Sequence, residues 1–183
     1  SVRGSDPDAA LYWFCRMLDG GCDPTYLARR LTRFASEDIG NADPRALALA
    51  LDAWQAYERL GSPEGEVALA QLVLYLAVAA KSNAAYRAID AASQDVRQMK
   101  TLEVPKHLQD THYPGAKRLG RGQNYLYAHD YEEGYVPQEY GVARGTYYQP
   151  SDRGKEAEFK ARLEHFDALD QQGREEPEKQ ERP

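Results

Sequence analysis

The chain has 183 residues, of which 28% are charged and 42% hydrophobic, and its formal net charge is −6. This length suits one domain, or one domain and a tail. The acidic balance disfavours a protein with a large basic face for nucleic acid, although it is compatible with a local basic patch. No run of about 18 apolar residues occurs, so we expect no membrane-spanning helix.

Residues 1–100 predict a bundle of helices with clear starting points. Asp6-Pro7, Asp23-Pro24, Asp43-Pro44 and Ser62-Pro63 each place a capping side chain directly before a proline. The side-chain oxygen can accept an otherwise unpaired N–H of the first turn, and proline loses no hydrogen bond at that position. The segment Val67–Ala80 is apolar on nearly every side, which predicts a central buried helix. Apolar residues at helical spacing follow three of the starts: Ala10, Trp13, Phe14 and Met17; Leu27, Leu31 and Phe34; Leu47, Leu51 and Trp54.

The alanine-rich segment Asn83–Met99 predicts one more helix, with Tyr86, Ile89 and Val96 on its apolar side. The composition then changes near residue 100. Residues 101–152 are rich in Tyr, Gly, Pro and His and have no sustained helical period, so we expect an irregular extension that packs on the helical core. Alternation at Tyr125-Leu126-Tyr127 and at Tyr147-Tyr148 allows a short β-hairpin there.

The C-terminal residues divide into a helix and a tail. Residues 153–170 predict an amphipathic helix with Phe159, Leu163 and Phe166 on its apolar stripe. Residues 171–183, QQGREEPEKQERP, are charged and contain prolines, which is typical of a disordered tail. The predicted fold class is therefore mainly α, with an irregular Tyr- and Gly-rich extension.

Three of the four histidines lie in residues 105–131, namely His107, His112 and His129. Asp110 or Asp130 could join them, but their spacing corresponds to no familiar closed zinc site. We therefore predict no metal site and interpret the histidines as packing and hydrogen-bonding groups. The two cysteines fit no metal or disulfide pattern, which indicates buried free thiols and a reducing compartment.

The same segment contains glycines but no phosphate-binding loop. The pattern G-x-G-x-x-G fails because Tyr125 stands where the third glycine would be, and no G-x-x-x-x-G-K-[ST] occurs anywhere in the sequence. We therefore predict no nucleotide site, no cofactor and no catalytic residue in this chain. Lys117, Arg118, Arg121 and Tyr125 could hold phosphates while a base stacks. The alternatives are a solvated loop or a charged patch that meets another subunit.

Four blocks of the sequence together resemble the C-terminal region of the RarA/MgsA family of replication-associated recombination ATPases, a clamp-loader-like branch of the AAA+ proteins. The resemblance covers about residues 1–154. The blocks, in order, are SVRGSDPDAALYW, ASEDIGNADPRAL, KSNAAYRAIDAA and PKHLQDTHYPGAKRLGRGQNYLYAHDY.

The resemblance implies a parent protein whose N-terminal AAA+ core binds ATP and Mg²⁺ and hydrolyses ATP in response to DNA. It also implies a helical C-terminal domain, similar to the collar of clamp loaders, that assembles homotetramers. Such proteins act in replication-fork maintenance, recombination and DNA repair in the bacterial cytoplasm, at the nucleoid, and associate with single-stranded-DNA-binding protein. We therefore expect this chain to follow the ATPase core and lid and to be a non-enzymatic homo-oligomerisation domain. The alternative is a module that uses Lys117, Arg118, Arg121 and Tyr125 to place the ATPase on forked or single-stranded DNA.

Overall fold

The computed structural model describes residues 1–98, 102–112, 119 and 121–180, with side chains up to residue 172. This part of the chain is mainly helical, as predicted. The helices are α1 (Pro7–Asp19), α2 (Pro24–Phe34), α3 (Arg45–Leu60), α4 (Glu64–Val78), α5 (Ala84–Gln98) and α6 (Glu156–Gln180). A π-helical turn, Ala35–Ile39, follows α2, and short 3-10 turns lie at Gly40–Ala42, Lys106–Leu108, Ala128–Asp130 and Glu132–Gly134.

Two of the four predicted helix starts are confirmed, because Asp6 and Asp23 each accept a first-turn backbone N–H at 2.9 Å and the proline is the first helical residue. At Asp43-Pro44 the helix begins one residue later, at Arg45, although the Asp43 carboxylate still accepts the Arg45 N–H at 3.2 Å. The prediction for Ser62 is wrong, because α4 begins at Glu64 without a side-chain cap and the Ser62 hydroxyl instead lies 3.3 Å from that of Tyr57.

The chain forms two compact units. The first comprises Ser1–Ala91 and Tyr148–Lys160, and the second comprises Ala92–Tyr147 and Ala161–Pro183. The division runs through α5 and α6, whereas the predicted boundaries fell at residues 100 and 152. Packing of the extension on the helical core stays a prediction.

The core of the first unit is built around α4, which packs against α1, α2 and α3. Leu69, Leu72 and Leu76 of this helix are buried. The facing side of α3 is buried through Ala46 and Ala50 rather than through its larger leucines. Small side chains let the helix axes approach closely, which brings many atoms into van der Waals contact. The likeness to a clamp-loader collar stays a prediction.

A buried carboxylate fixes residues 148–156 to the first unit. Glu156 is fully buried, and its oxygens accept hydrogen bonds from the Ser151 N–H at 3.0 Å, the Ser151 hydroxyl at 2.7 Å and the Tyr148 hydroxyl at 2.9 Å. Burial alone would raise the pKa of Glu156, but the hydrogen bonds from Ser151, Ser82 and Tyr148 lower it below the ordinary value. The carboxylate is therefore held in its charged form.

Close backbone contacts complete this junction. Gly154 has φ +53°, and a Cβ there would collide with the carbonyl oxygen of Ala42. The next residue, Lys155, donates its backbone N–H to the same carbonyl at 2.8 Å. Only glycine fits such a close approach in the left-handed region.

Three of the sequence blocks that carry the family resemblance meet in the first unit. Arg3 forms two hydrogen bonds with Asp38, at 2.6 and 3.0 Å, which joins the first block to the second. Lys81, from the third block, donates to Ser5 at 2.9 Å and to two carbonyl groups at the end of α4. These signature residues thus have structural roles in the described region.

The second unit contains an arginine–aromatic cluster. The Arg144 guanidinium bonds to Asp167 at 2.6 Å and to Asp170 at 3.1 Å, and lies over the rings of Tyr135 and Phe166. The Tyr135 and Phe166 rings stack with centroids 4.3 Å apart. Cation–π contact and ion pairing together hold residues 135–144 against this part of α6.

The described residues contain no β-strand, so the predicted hairpin is not found in them. At Leu126 the side chain of Gln138 replaces the expected neighbouring strand. Its amide oxygen accepts the Leu126 N–H at 3.4 Å, and its amide nitrogen donates to the Leu126 carbonyl at 3.1 Å. A side-chain amide can satisfy the backbone N–H and carbonyl of one residue, whereas a neighbouring strand satisfies those of a run of residues.

The last helix is longer than predicted. The predicted end was residue 170, with a disordered tail beyond it, whereas α6 continues to Gln180. Glutamine, glutamate, lysine and arginine have good intrinsic helix propensity. Their helix propensity favours continuation of α6 through residues that composition alone assigns to a disordered tail.

Candidate interaction surfaces

The predicted basic site is only partly described. Lys117 and Arg118 lie outside the described residues. Arg121 is half-buried at the start of the turn at residues 121–124, and the backbone N–H of Gly122 donates to the Lys106 carbonyl at 2.7 Å. Tyr125 directly follows this turn and is 48% exposed. Of the four predicted residues, the structure therefore describes Arg121 and Tyr125, which lie in this turn and directly after it.

The histidines of this segment make separate local contacts. His107 bonds to the Glu139 carbonyl at 2.7 Å, His112 pairs with Asp110 at 2.6 Å, and the His129 ring centroid lies 5.1 Å from that of Tyr127. No group of three or more metal-binding side chains occurs in the part of the chain that the structure describes. Packing and hydrogen bonding account for these rings.

An aromatic ridge lies on α1. We use this name for Tyr12, Trp13 and Met17, which are 59%, 58% and 43% exposed. The Tyr12 and Trp13 rings meet edge to face with centroids 5.2 Å apart. The sequence placed Trp13 and Met17 on one apolar stripe with Ala10 and Phe14, but only Ala10 and Phe14 are buried. The signal available in the sequence was the breadth of this apolar stripe, because Trp13 and Tyr12 extend it beyond the buried Ala10 and Phe14.

A second apolar surface is a groove between α2, α3 and α5, with a volume of about 720 Å³. We call it the apolar groove. Leu47 and Trp54 of α3 line it together with Tyr86 and Ile89 of α5. Ile89 is 66% exposed and Tyr86 is 47% exposed. Sequence periodicity identified these side chains as an apolar face but did not indicate that the face is open.

The rim and floor of the apolar groove carry polar groups. Arg29 and Arg33 of α2 line it, and Arg33 pairs with Glu37 at 2.7 Å. Arg29 lies 5.3 Å from the centre of the Tyr26 ring and has no acidic partner among the described residues. The indole Nε1 of Trp54 is buried without a hydrogen-bond acceptor in the described part of the chain. The groove therefore offers apolar area and, on its rim, one positive charge without a carboxylate partner in the described part of the chain.

Both surfaces have the exposed apolar area of a binding surface. Large exposed apolar groups gain free energy when a partner removes them from water, at about 25 cal/mol per Å². Contiguous apolar surface on a folded protein typically marks an interaction site. In the described chain, none of the helices combines the length and the apolar character that a membrane span needs.

Comparison with known proteins shows which family the chain belongs to. Residues 4–167 match the family described as MgsA AAA+ ATPase C terminal. The chain is 55% identical over 178 residues to replication-associated recombination protein A of Coxiella burnetii, covering 94% of this chain and 40% of that protein.

Two further bacterial proteins with the same name are similar. The protein from Escherichia coli K12 is 48% identical, over 93% of this chain and 39% of its own length. The Bacillus subtilis protein is 46% identical, over 85% of this chain and 37% of its own length. The chain thus spans well under half the length of these relatives. Since the family match covers most of the chain and agrees with the mainly helical fold, this protein belongs to the MgsA family of AAA+ ATPase C-terminal domains.

Proposed function

We propose that this chain is the homo-oligomerisation domain of an AAA+ ATPase that acts in replication-associated recombination and repair. The observation that supports this best is the open apolar groove. Ile89 and Tyr86 are exposed there on α5, an amphipathic helix. A domain that functioned as a monomer would gain solubility by carrying polar residues there. A second copy that covers the groove would remove these side chains from water, and their burial would then stabilise the assembly.

In this proposal the domain contributes packing while the parent protein contributes the chemistry. The homotetramer expected from the family resemblance would hold neighbouring ATPase cores together, with ATP and Mg²⁺ bound in those cores. DNA and single-stranded-DNA-binding protein would then be partners of the assembled parent. The chain itself needs no cofactor for this role.

Sedimentation velocity on the isolated chain tests the proposal. We expect a species larger than the 20.6 kDa monomer. Replacing Ile89 by Asp puts a charge into the contact and should weaken self-association at least about tenfold, as is usual for a central interface residue. A wild-type chain that stays monomeric at high concentration would contradict the proposal.

Gln94→Glu is the matched control for this experiment. Gln94 is exposed on the same helix, five residues from Ile89 and therefore on a different face. The substitution adds the same charge but keeps the side-chain size and removes no apolar surface. We expect it to sediment as the wild type does, so loss of assembly in both variants would indicate a general charge effect.

A second candidate function is contact with DNA through the extension. Its support is a group of exposed aromatic rings in the second unit that could stack on unpaired bases. Basic residues near residue 120 would supply phosphate contacts. The exposed rings are Tyr125, Tyr127, Tyr131 and Tyr140.

Binding to a labelled single-stranded oligonucleotide, measured against salt concentration, tests this candidate. Replacing Lys117, Arg118 and Arg121 together by Ala should lower the salt slope by up to about 2, because each phosphate contact to a single strand contributes about 0.7. Weaker DNA binding with an unchanged oligomer supports a DNA contact. Altered assembly with unchanged DNA affinity would instead make the loop an interface element.

The control for this experiment replaces three other exposed arginines, Arg30, Arg59 and Arg153, by Ala. It changes the net charge by the same amount at positions outside residues 117–121 and outside the aromatic ridge. The salt slope should then stay at the wild-type value. An equal fall in both triple variants would mean that total charge, and not the loop, determines binding.

A further inference from the structure

We propose that the self-association contact joins two different surfaces, with the aromatic ridge of one copy entering the apolar groove of the next. This inference rests on the proposed function and names the surfaces that carry it. Both surfaces belong to the first compact unit, but they lie on different helices. The occupant of the groove is therefore a second copy of this chain.

The ridge has the properties of an interface anchor. Trp13 and Tyr12 are more than half exposed, although tryptophan is usually well buried in folded proteins. Phe14 and Ala10 of the same helix are buried, so the helix that presents the ridge is held by the core. The edge-to-face contact of Tyr12 with Trp13 orders the two rings before binding. Rigid aromatic side chains dominate binding energy at interfaces because they bury a large area at low entropic cost.

The groove offers apolar surface of the kind that aromatic rings gain free energy by covering. Apolar walls formed by Leu47 and Ile89 suit the faces of the incoming rings.

The charges beside the two surfaces are opposite. Asp8 lies one helical turn before Tyr12 and has no cationic partner in the described part of the chain. Arg29 stands on the groove rim with no carboxylate partner in that same part. The ridge also carries Arg16, but this residue is paired with Asp19 at 2.7 Å. An Asp8–Arg29 contact between copies would orient the ridge, since complementary charges mainly set specificity.

A contact between two different surfaces has a consequence for symmetry. A ridge-to-groove contact leaves one ridge and one groove unused on a pair of copies, so it propagates until a ring closes. A groove-to-groove contact would stop at two copies. The ridge-to-groove contact can therefore build a closed assembly of more than two subunits from a single kind of interface.

A mixing experiment with the full chain distinguishes these contacts. Trp13→Asp removes the ridge and Ile89→Asp blocks the groove, and we expect each variant alone to be monomeric. Mixed in equal amounts, they should form a one-to-one dimer and nothing larger, because one ridge and one groove remain compatible. Leu60→Asp, at a position on α3 that is 60% exposed and lies outside both surfaces, should assemble as the wild type does.

The outcomes separate this inference from the proposed function. A monomeric wild type would overturn both. A wild type that assembles while Trp13→Asp or Trp13→Ala assembles equally well would overturn the inference alone, and so would a mixture that forms no dimer. Circular dichroism of each variant checks folding, and Trp13→Ala introduces no charge if Trp13→Asp folds poorly.

Fluorescence provides an independent readout. The chain has two tryptophans, Trp13 and Trp54, and both lie in the proposed contact. Dilution of the wild type through its dissociation range should shift the emission to longer wavelength as Trp13 becomes exposed to water. Emission that is unchanged while sedimentation shows dissociation would overturn the inference.

Discussion

At the scale of single residues, Glu156 links the sequence to the stability of the first unit. A buried charge is tolerated only when hydrogen bonds replace its hydration. Here the donors are Ser151, through its backbone N–H and its hydroxyl, and Tyr148, with Ser82 also lowering the pKa. Serine and tyrosine in the stretch 148–151 therefore have a definite role that composition alone does not reveal.

Glu156→Gln is expected to destabilise the chain by about 1–3 kcal/mol, the usual cost of leaving a buried hydrogen-bonding group unmatched. Folding lowers the pKa of Glu156 below its ordinary value of 4.5. The stabilisation is therefore fully present above about pH 4.5 and is lost as the pH falls through the folded-state pKa. The variant should lack this part of the pH dependence. Denaturant unfolding at pH 7 and at lower pH measures both effects.

Glu158→Gln provides the control for Glu156→Gln. Glu158 lies on the same helix with a side chain that is 66% exposed, and it pairs with Lys155. An exposed ion pair contributes little, so we expect a change within about 0.5 kcal/mol. If both variants unfold alike at all pH values, the buried carboxylate does not have the role assigned to it.

At the scale of helices and strands, the sequence predicted which elements form better than which faces are buried. Asp-Pro starts located α1 and α2, and Leu27 and Leu31 were correctly placed on a buried face. In α3, however, the leucines are exposed, whereas Ala46 and Ala50 are buried. Periodicity shows that a helix has an apolar face, but the partner helix and its distance decide which face becomes the core.

The extension was harder to predict because its contacts are between side chains far apart in sequence. The stacking of Tyr135 on Phe166 and the pairing of Arg144 with Asp170 depend on tertiary placement, not on local propensity. The Gln138 amide that pairs with Leu126 satisfies the backbone without a strand. Alternating tyrosines consequently indicated a hairpin that the described residues do not contain.

At the scale of the whole molecule, the sequence identified the family but could not locate an interaction surface. The resemblance blocks that carried the identification proved to include structural contacts such as Arg3 with Asp38. The aromatic ridge and the apolar groove have the same composition as core faces, so only the folded chain distinguishes them. Whether a surface is left for a partner depends on what the rest of the chain has already covered.

Assembly should also be visible in the stability of the whole molecule. If the native chain self-associates and the unfolded chain does not, mass action makes the melting temperature depend on protein concentration. For a chain of this size we expect Tm to rise by about 2–4 °C for each tenfold increase in concentration. Ile89→Asp should show a constant Tm, whereas Gln94→Glu should keep the wild-type dependence. A wild-type Tm that stays constant over about a hundredfold range, which differential scanning calorimetry can cover, would mean that no such linkage exists.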